Sequence, residues 1–234
     1  MKVKIVISSV ILSLILVGCG SNERSEEGPM PNKKRSSVVR RPENRLSLRE
    51  TEYGRGALSD GQDTNGQEGP IRIITEEATS LIIYFSRSGN TENLAKMIHN
   101  QNGADLLELA IVNPYPADYD ASVNRANEER EHQAYPEIST EIPNLSQYDT
   151  IYLGYQTWAM TLSNPMMSFL LAYESLFSGQ IVYSFSTNAG YGEGDSLIKI
   201  AELLPNVTVA ESFSIQDEEL LANQEKVVTW INKN

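Results

Sequence analysis

The chain reads as an α/β protein built on a doubly wound, five-stranded parallel sheet. Five short apolar runs alternate with helical patterns between residues 79 and 234. The segment before residue 79 lacks that periodicity. The loops after the first, third and fourth runs (86–91, 155–164 and 187–194) are the most chemically unusual stretches of the region. In an open α/β sheet such loops lie beyond the carboxyl ends of the strands, where ligands bind.

The N-terminus reads as an address. Met1-Lys2-Val3-Lys4 is basic, and residues 5–17 form an apolar run of 13 positions. A membrane-spanning helix needs about 20 residues, so this run suits a signal peptide over 1–18. Its end, Leu16-Val17-Gly18-Cys19, resembles a bacterial lipobox. The resemblance implies lipidation at Cys19, whose thioether and N-acyl chains supply the two signals that stable anchoring needs. The expected location is extracytoplasmic and lipid-anchored, with the choice of inner or outer membrane open. Cys19 is the chain's one cysteine. No intramolecular disulfide or dithiol pair can form, so any redox chemistry must use a bound cofactor.

Residues 19–78 are rich in Gly, Pro, Ser, Asn, Glu and Arg. Such composition buries too little apolar surface to offset ordering entropy, which predicts a disordered tether. The folded part is expected over 79–234. It holds 20 acidic and 7 basic side chains and dominates the formal net charge of −12. That balance argues against nucleic acid as a partner.

The first strand is Leu81-Ile82-Ile83-Tyr84-Phe85. It stops at a loop of hydroxyl and small residues, and a helix begins with Leu94, Met97 and Ile98 on one face. Strand, small polar loop and helix start together make an anion site, because the first N–H groups of the helix lack intrahelical partners. Residues 104–110 suit a partly exposed edge strand, and 118–132 a polar surface helix. Residues 150–154 form the third strand, followed by a helix from Pro165 to Phe177. Residues 180–186 form the fourth strand, followed by the glycine-rich loop and a helix over 196–204. Residues 207–210 form the fifth, and a last helix spans 216–231 with Val227, Val228 and Ile231 on its apolar stripe.

Other α/β chemistries fail on their residues. A dinucleotide fold wants G-x-G-x-x-G after the first strand, and a P-loop wants Gly-Lys-Ser/Thr. Ser86-Arg87-Ser88-Gly89-Asn90-Thr91 is neither. A receiver domain would place carboxylates where Ser86 and Gly154 stand, and no Gly-x-Ser-x-Gly elbow occurs. His99 and His132 fall on predicted helix surfaces.

The three loops resemble those of the flavodoxins. Ser86 to Thr91 is similar to the S/T-x-T-G-N-T phosphate loop, with Ser88 keeping the hydroxyl. Gly154-Tyr155-Gln156-Thr157-Trp158 resembles the second flavin loop, with Gln156 where proline is common. Thr187-Asn188-Ala189-Gly190-Tyr191-Gly192-Glu193-Gly194 resembles the third. The resemblance covers residues 79–234 and implies strand order 2-1-3-4-5 and FMN as cofactor. It implies that Ser86, Arg87, Ser88, Gly89, Asn90 and Thr91 surround the phosphate, with Arg87 turned outward or, as the alternative, touching the phosphate. Trp158 and Tyr191 would flank the isoalloxazine. Gln156, Thr157, Thr187, Asn188, Gly190 and Gly192 would border its pyrimidine rim. Tyr115 and Tyr119 are expected to pack. The resulting expectation is a membrane-tethered electron carrier whose partner is a redox protein or a quinone. The alternatives are an NAD(P)H-dependent flavin or quinone reductase, and a non-redox interaction module on the same fold.

Overall fold

The computed structural model describes residues 45–54, 56–59 and 69–233. The signal peptide, Cys19 and the first part of the expected tether lie outside the described residues. The elements in chain order are β1 (Arg72–Ile73), β2 (Ser80–Tyr84), α1 (Asn90–Asn102), β3 (Asp105–Glu108), α2 (Tyr119–Glu131), β4 (Thr150–Trp158) and β5 (Thr161–Leu162). They continue with α3 (Asn164–Tyr173), β6 (Ile181–Asn188), α4 (Ser196–Leu203), β7 (Thr208–Val209), β8 (Phe213–Gln216) and α5 (Gln224–Lys233).

The parallel strands lie in the order β3-β2-β4-β6, with β7 and β8 both beside β6. Counted along the chain this is 2-1-3-4-5, as the resemblance implies. Alternate side chains of β2 divide the core. Leu81 and Ile83 join Ile151, Leu153, Val182, Phe169 and Ile200 on the face covered by α2, α3 and α4. Ile82 and Tyr84 join Leu94, Ile98, Val227, Trp230 and Ile231 on the face covered by α1 and α5. The period of two along each strand thus winds helices onto both faces.

Several elements differ from expectation. The 104–110 strand is no exposed edge, because β1 pairs antiparallel with β3 and closes it. Its carboxylates are buried and engaged. Asp105 accepts from the Thr75 N–H at 2.9 Å, the Thr75 hydroxyl at 2.8 Å and the Tyr148 hydroxyl at 2.9 Å. Glu108 accepts from the Ile71 N–H at 2.8 Å. The expected tether therefore gives up residues 69–78 to the domain, and residues 45–54 and 56–59 also contribute contacts to it. The fifth strand position is shared by two short strands, β7 on the first half of β6 and β8 on the second. Consequently α5 begins at Gln224 and not at 216. Asp217–Glu219 make a 3-10 turn, which leaves Leu220 buried ahead of the helix. His99 is buried, not on a surface, and its Nδ1 lies 2.7 Å from the Ala104 carbonyl.

Four buried tyrosines carry a consequence for alkaline stability. Burial pushes the Tyr148 hydroxyl above its usual range, and the hydrogen bond to Asp105 and its charge add to this. Burial, then Glu129, does the same to Tyr115. Burial also raises Tyr152 and Tyr155. These groups hold their protons in the folded state at a pH where the unfolded chain has lost them. Their contribution is fully present below about pH 10 and is lost as pH rises beyond it, by up to about 1.4 kcal/mol per pH unit for each such group. Urea unfolding at pH 8 and pH 11 should show stability falling with pH. Tyr148→Phe should flatten that fall, and an equal slope in the variant would remove Tyr148 from this account.

Candidate functional site

The three loops converge at the carboxyl ends of β2, β4 and β6. In the first, the Ser86 hydroxyl accepts the Gly89 N–H at 3.1 Å and folds the chain back on itself. Gly89 stands at φ 85°, a left-handed conformation that admits glycine readily, and α1 starts directly after it. Among the described residues no side chain caps α1. Its opening N–H groups and positive dipole end are thus left for a ligand. Thr91 is fully buried, and its Oγ1 lies 2.8 Å from Thr187 Oγ1, which ties the first loop to the third.

The second loop is largely strand. β4 runs to Trp158, turns at Ala159 and Met160, and returns as β5 with Trp158 opposite Thr161. Both turn residues have positive φ, 49° and 64°, as a two-residue hairpin requires. Gln156 Nε2 donates to the Phe85 carbonyl at 3.0 Å and so joins the end of β4 to the end of β2. Its Oε1, and the Thr157 hydroxyl, are buried with no hydrogen-bond partner among the described residues. Trp158 is held edge-on by Phe85 (6.1 Å, 90°) and Tyr115 (5.2 Å, 89°).

Asn188 builds the third loop. Its Oδ1 accepts the N–H groups of Gly190 at 2.8 Å and Gly192 at 3.0 Å. Its Nδ2 donates to Ser214 Oγ at 3.0 Å and the Ile215 carbonyl at 3.1 Å. Gly194 then passes the hairpin tip so closely that a Cβ there would lie 1.9 Å from the Met160 carbonyl oxygen. That same oxygen accepts the Asp195 N–H at 2.9 Å. The second and third loops therefore form one unit.

These loops enclose a cavity of about 490 Å³. Arg87, Ser88 and Asn90 form one end. Gln156, Thr157, Trp158, Thr187, Asn188 and Tyr191 form the flank. Ser86, Gly89, Thr91, Gly190 and Gly192, which the resemblance placed against the cofactor, are not among the residues that line the cavity; the first three are buried in the framework of the first loop, whereas Gly190 is exposed and Gly192 half-buried. Arg87 does not point outward. It is buried, donates to the Ala57 carbonyl, and lies over the Tyr119 ring at 5.4 Å from the centroid.

The remaining wall was not foreseen. The helix α2 presents Tyr119, Ser122, Val123, Ala126, Asn127 and Arg130 to the cavity. These are positions i, i+3, i+4, i+7, i+8 and i+11, one face of a helix. Tyr119 thus belongs to the cavity, whereas Tyr115 packs, with its hydroxyl donating to Glu129 and Arg125 over its ring at 4.2 Å. The signal was present in the small and apolar spacing of Ser122, Val123 and Ala126, masked by the charged residues around them. Arg87 and Arg130 put two cations on the wall against one carboxylate, Asp217. In a domain this acidic, that local reversal favours an anionic ligand.

A model of the flavodoxin family matches residues 79–234. The chain belongs to the flavodoxin family. Solved structures agree on the fold. A protein of Bacteroides uniformis classed with the flavoproteins aligns at 22% identity and TM-score 0.57, covering 66% of this chain and 98% of its own. A similar protein of Bacteroides eggerthii aligns at 22% and 0.57, covering 67% and 98%. A flavoprotein of Lactobacillus acidophilus, solved in complex with FMN, aligns at 22% and 0.52, covering 63% and 99%. No curated protein matches. In this flavodoxin the cavity is walled by the three loops, by α2 and by Gly54.

Proposed function

We propose that this flavodoxin-family chain binds FMN in the loop cavity and carries electrons at a membrane surface to which Cys19 tethers it. The observation that carries the cofactor reading is the pair of buried, unpartnered polar atoms, Gln156 Oε1 and Thr157 Oγ1, on the wall beside Trp158. Leaving such atoms unpaired is costly, so they favour a ligand whose polar rim meets them. A flavin pyrimidine ring offers an N–H donor and carbonyl acceptors for that rim. The uncapped start of α1, with Ser88 and Arg87, suits a phosphate monoester at the other end. Trp158 and Tyr191, which is 49% exposed, supply aromatic surface for the ring.

The bound flavin supplies the redox chemistry, accepting and releasing electrons. The residues orient it and set its surroundings. The Asn188 bonds hold the third loop in shape whether or not a ligand is present. The bond from Gln156 Nε2 to the Phe85 carbonyl fixes that side chain, whose Oε1 is left without a partner among the described residues. The α2 wall shields one side of the cavity from water. Lipid anchorage rests on the lipobox resemblance, and it places the domain where NAD(P)H is scarce and a quinol or redox protein is the available donor.

Expression of the full chain tests both parts. The membrane fraction should be yellow, and Cys19→Ala should move the colour to the soluble fraction. The purified apoprotein should take up FMN at micromolar affinity or tighter, about −8 kcal/mol. A chain that takes up no FMN overturns the cofactor reading, and an unchanged distribution of Cys19→Ala overturns the anchor. Bleaching by NADPH without a partner protein would favour a reductase over a carrier.

A further inference from the structure

The helix α1 carries asparagine at positions 90, 93, 100 and 102, and the first three side chains are spent on the segment that precedes β1. Asn100 Oδ1 accepts the Leu46 N–H at 2.7 Å while its Nδ2 donates to the Leu46 carbonyl at 2.9 Å. Asn93 repeats this with Arg49, at 2.8 Å in both directions. Asn90 Oδ1 accepts the Thr51 hydroxyl at 2.6 Å, and its Nδ2 reaches the Glu52 carbonyl at 3.4 Å. An amide that bonds both polar groups of one residue imitates a neighbouring strand. It reads backbone and not side chain.

The spacing agrees. Residues 46 to 49, extended, span about 10 Å. Residues 93 to 100 rise about 10.5 Å along a helix and return to the same face. The segment thus runs along α1 towards its N-terminus with one amide for every third residue. Asparagine is a poor residue for a helix interior, so these positions are not explained by helix formation. Leu46 and Leu48 pack on the apolar face beneath.

Beyond the ladder the segment reaches the site. The Gly54 N–H donates to Asp217 Oδ2 at 2.9 Å, and Gly54 lines the cavity. The buried Ala57 offers its carbonyl to Arg87. The Ser59 N–H donates to the Ala117 carbonyl at 3.2 Å. Two cavity residues of the first loop, Arg87 and Asn90, are therefore fixed by this segment.

We infer that α1 is a docking surface for an extended peptide, occupied by the chain's own residues 46–52, and that this segment, with Gly54 and Ala57 beyond it, clamps the phosphate end of the cavity and slows loss of the cofactor. The cofactor half rests on the FMN reading above. The docking half does not, because it is measured without flavin.

The test uses the full chain and the double variant Asn93→Ala with Asn100→Ala. Neither residue lines the cavity, and alanine favours the helix, so the domain should stay folded by near-ultraviolet circular dichroism. Arg49→Pro is the companion, since it removes the N–H that Asn93 accepts, together with the Arg49 ion pair to Glu92 at 3.4 Å, and leaves the sequence of α1 unchanged. In the parent, the Leu46 and Arg49 amides should be protected from hydrogen exchange; both should lose protection in the double variant, and the Leu46 amide should lose it in Arg49→Pro. FMN should dissociate about tenfold faster or more from both. Unprotected amides in the parent overturn the docking. Dissociation within about twofold of the parent, once the amides are deprotected, overturns the clamp. A parent that takes up no FMN while its Leu46 and Arg49 amides are protected overturns the FMN reading and leaves the docking surface standing.

Discussion

Replacing Gly154 by alanine is expected to lower the unfolding free energy by about 3 kcal/mol or more, the upper range for overpacking a core. Gly154 lies mid-sheet, paired with Tyr84 of β2 on one side and Phe185 of β6 on the other. A Cβ there would lie 2.2 Å from Phe185 Cζ, 2.4 Å from Cε2 and 2.8 Å from Tyr84 Cβ. No backbone strain is involved, and space alone decides. The Phe185 ring is fully buried and cannot swing into solvent. Either it leaves its rotamer or β4 moves away from β2, and the Gly154 carbonyl accepts the Phe85 N–H at 3.0 Å where the first loop departs. Urea unfolding measures the loss. Adding Phe185→Leu should recover part of it, because the two changes share one space and are not additive. A loss below about 1 kcal/mol would show that the sheet absorbs the methyl group.

The parts of this fold that were legible are those written in a strand's or a helix's own side chains. The run 81–85 and its polar loop predicted β2, the turn and α1. Trp158 stood out because it fits no periodic face, and the structure puts it on the cavity wall. What was hidden is recorded in the partner. Residues 46–52 look like tether because side-chain amides on α1 read their backbone, which leaves little pattern in the segment itself. The only trace is asparagine at 93 and 100, seven apart on a helix. Gly194 is constrained by a carbonyl of another loop, 34 positions upstream in sequence. Asp105 and Glu108 suggested solvent, yet they mark where a closing strand and a tyrosine are held. Phe213 to Gln216 escaped notice because the fifth strand position is filled by two pieces, and a four-residue run beside acidic residues carries little signal of its own.

Ser88→Glu is expected to abolish useful FMN binding while leaving the domain as stable as before, or slightly more so. Ser88 is partly exposed, lines the cavity, and stands just before the uncapped start of α1. A carboxylate there meets the helix dipole favourably, by about 0.3–1 kcal/mol. It occupies the position proposed for the phosphate and repels it. Two unit charges about 4 Å apart at an effective dielectric of 20 interact by about 4 kcal/mol, which is roughly a thousandfold in affinity. The phosphate carries more than one charge, so this is a lower bound for an unrelaxed site. Riboflavin separates the possibilities, because it lacks the phosphate and should lose no more than about threefold. Isothermal titration with FMN and with riboflavin, beside urea unfolding of the apoprotein, gives all three quantities. A fall in stability would mean that the glutamate disturbs the loop itself. Equal losses for both ligands would place the repulsion at the ring and not at the phosphate. If FMN binds Ser88→Glu as tightly as the parent, its phosphate lies away from the start of α1, and the first loop is only a framework for the other two.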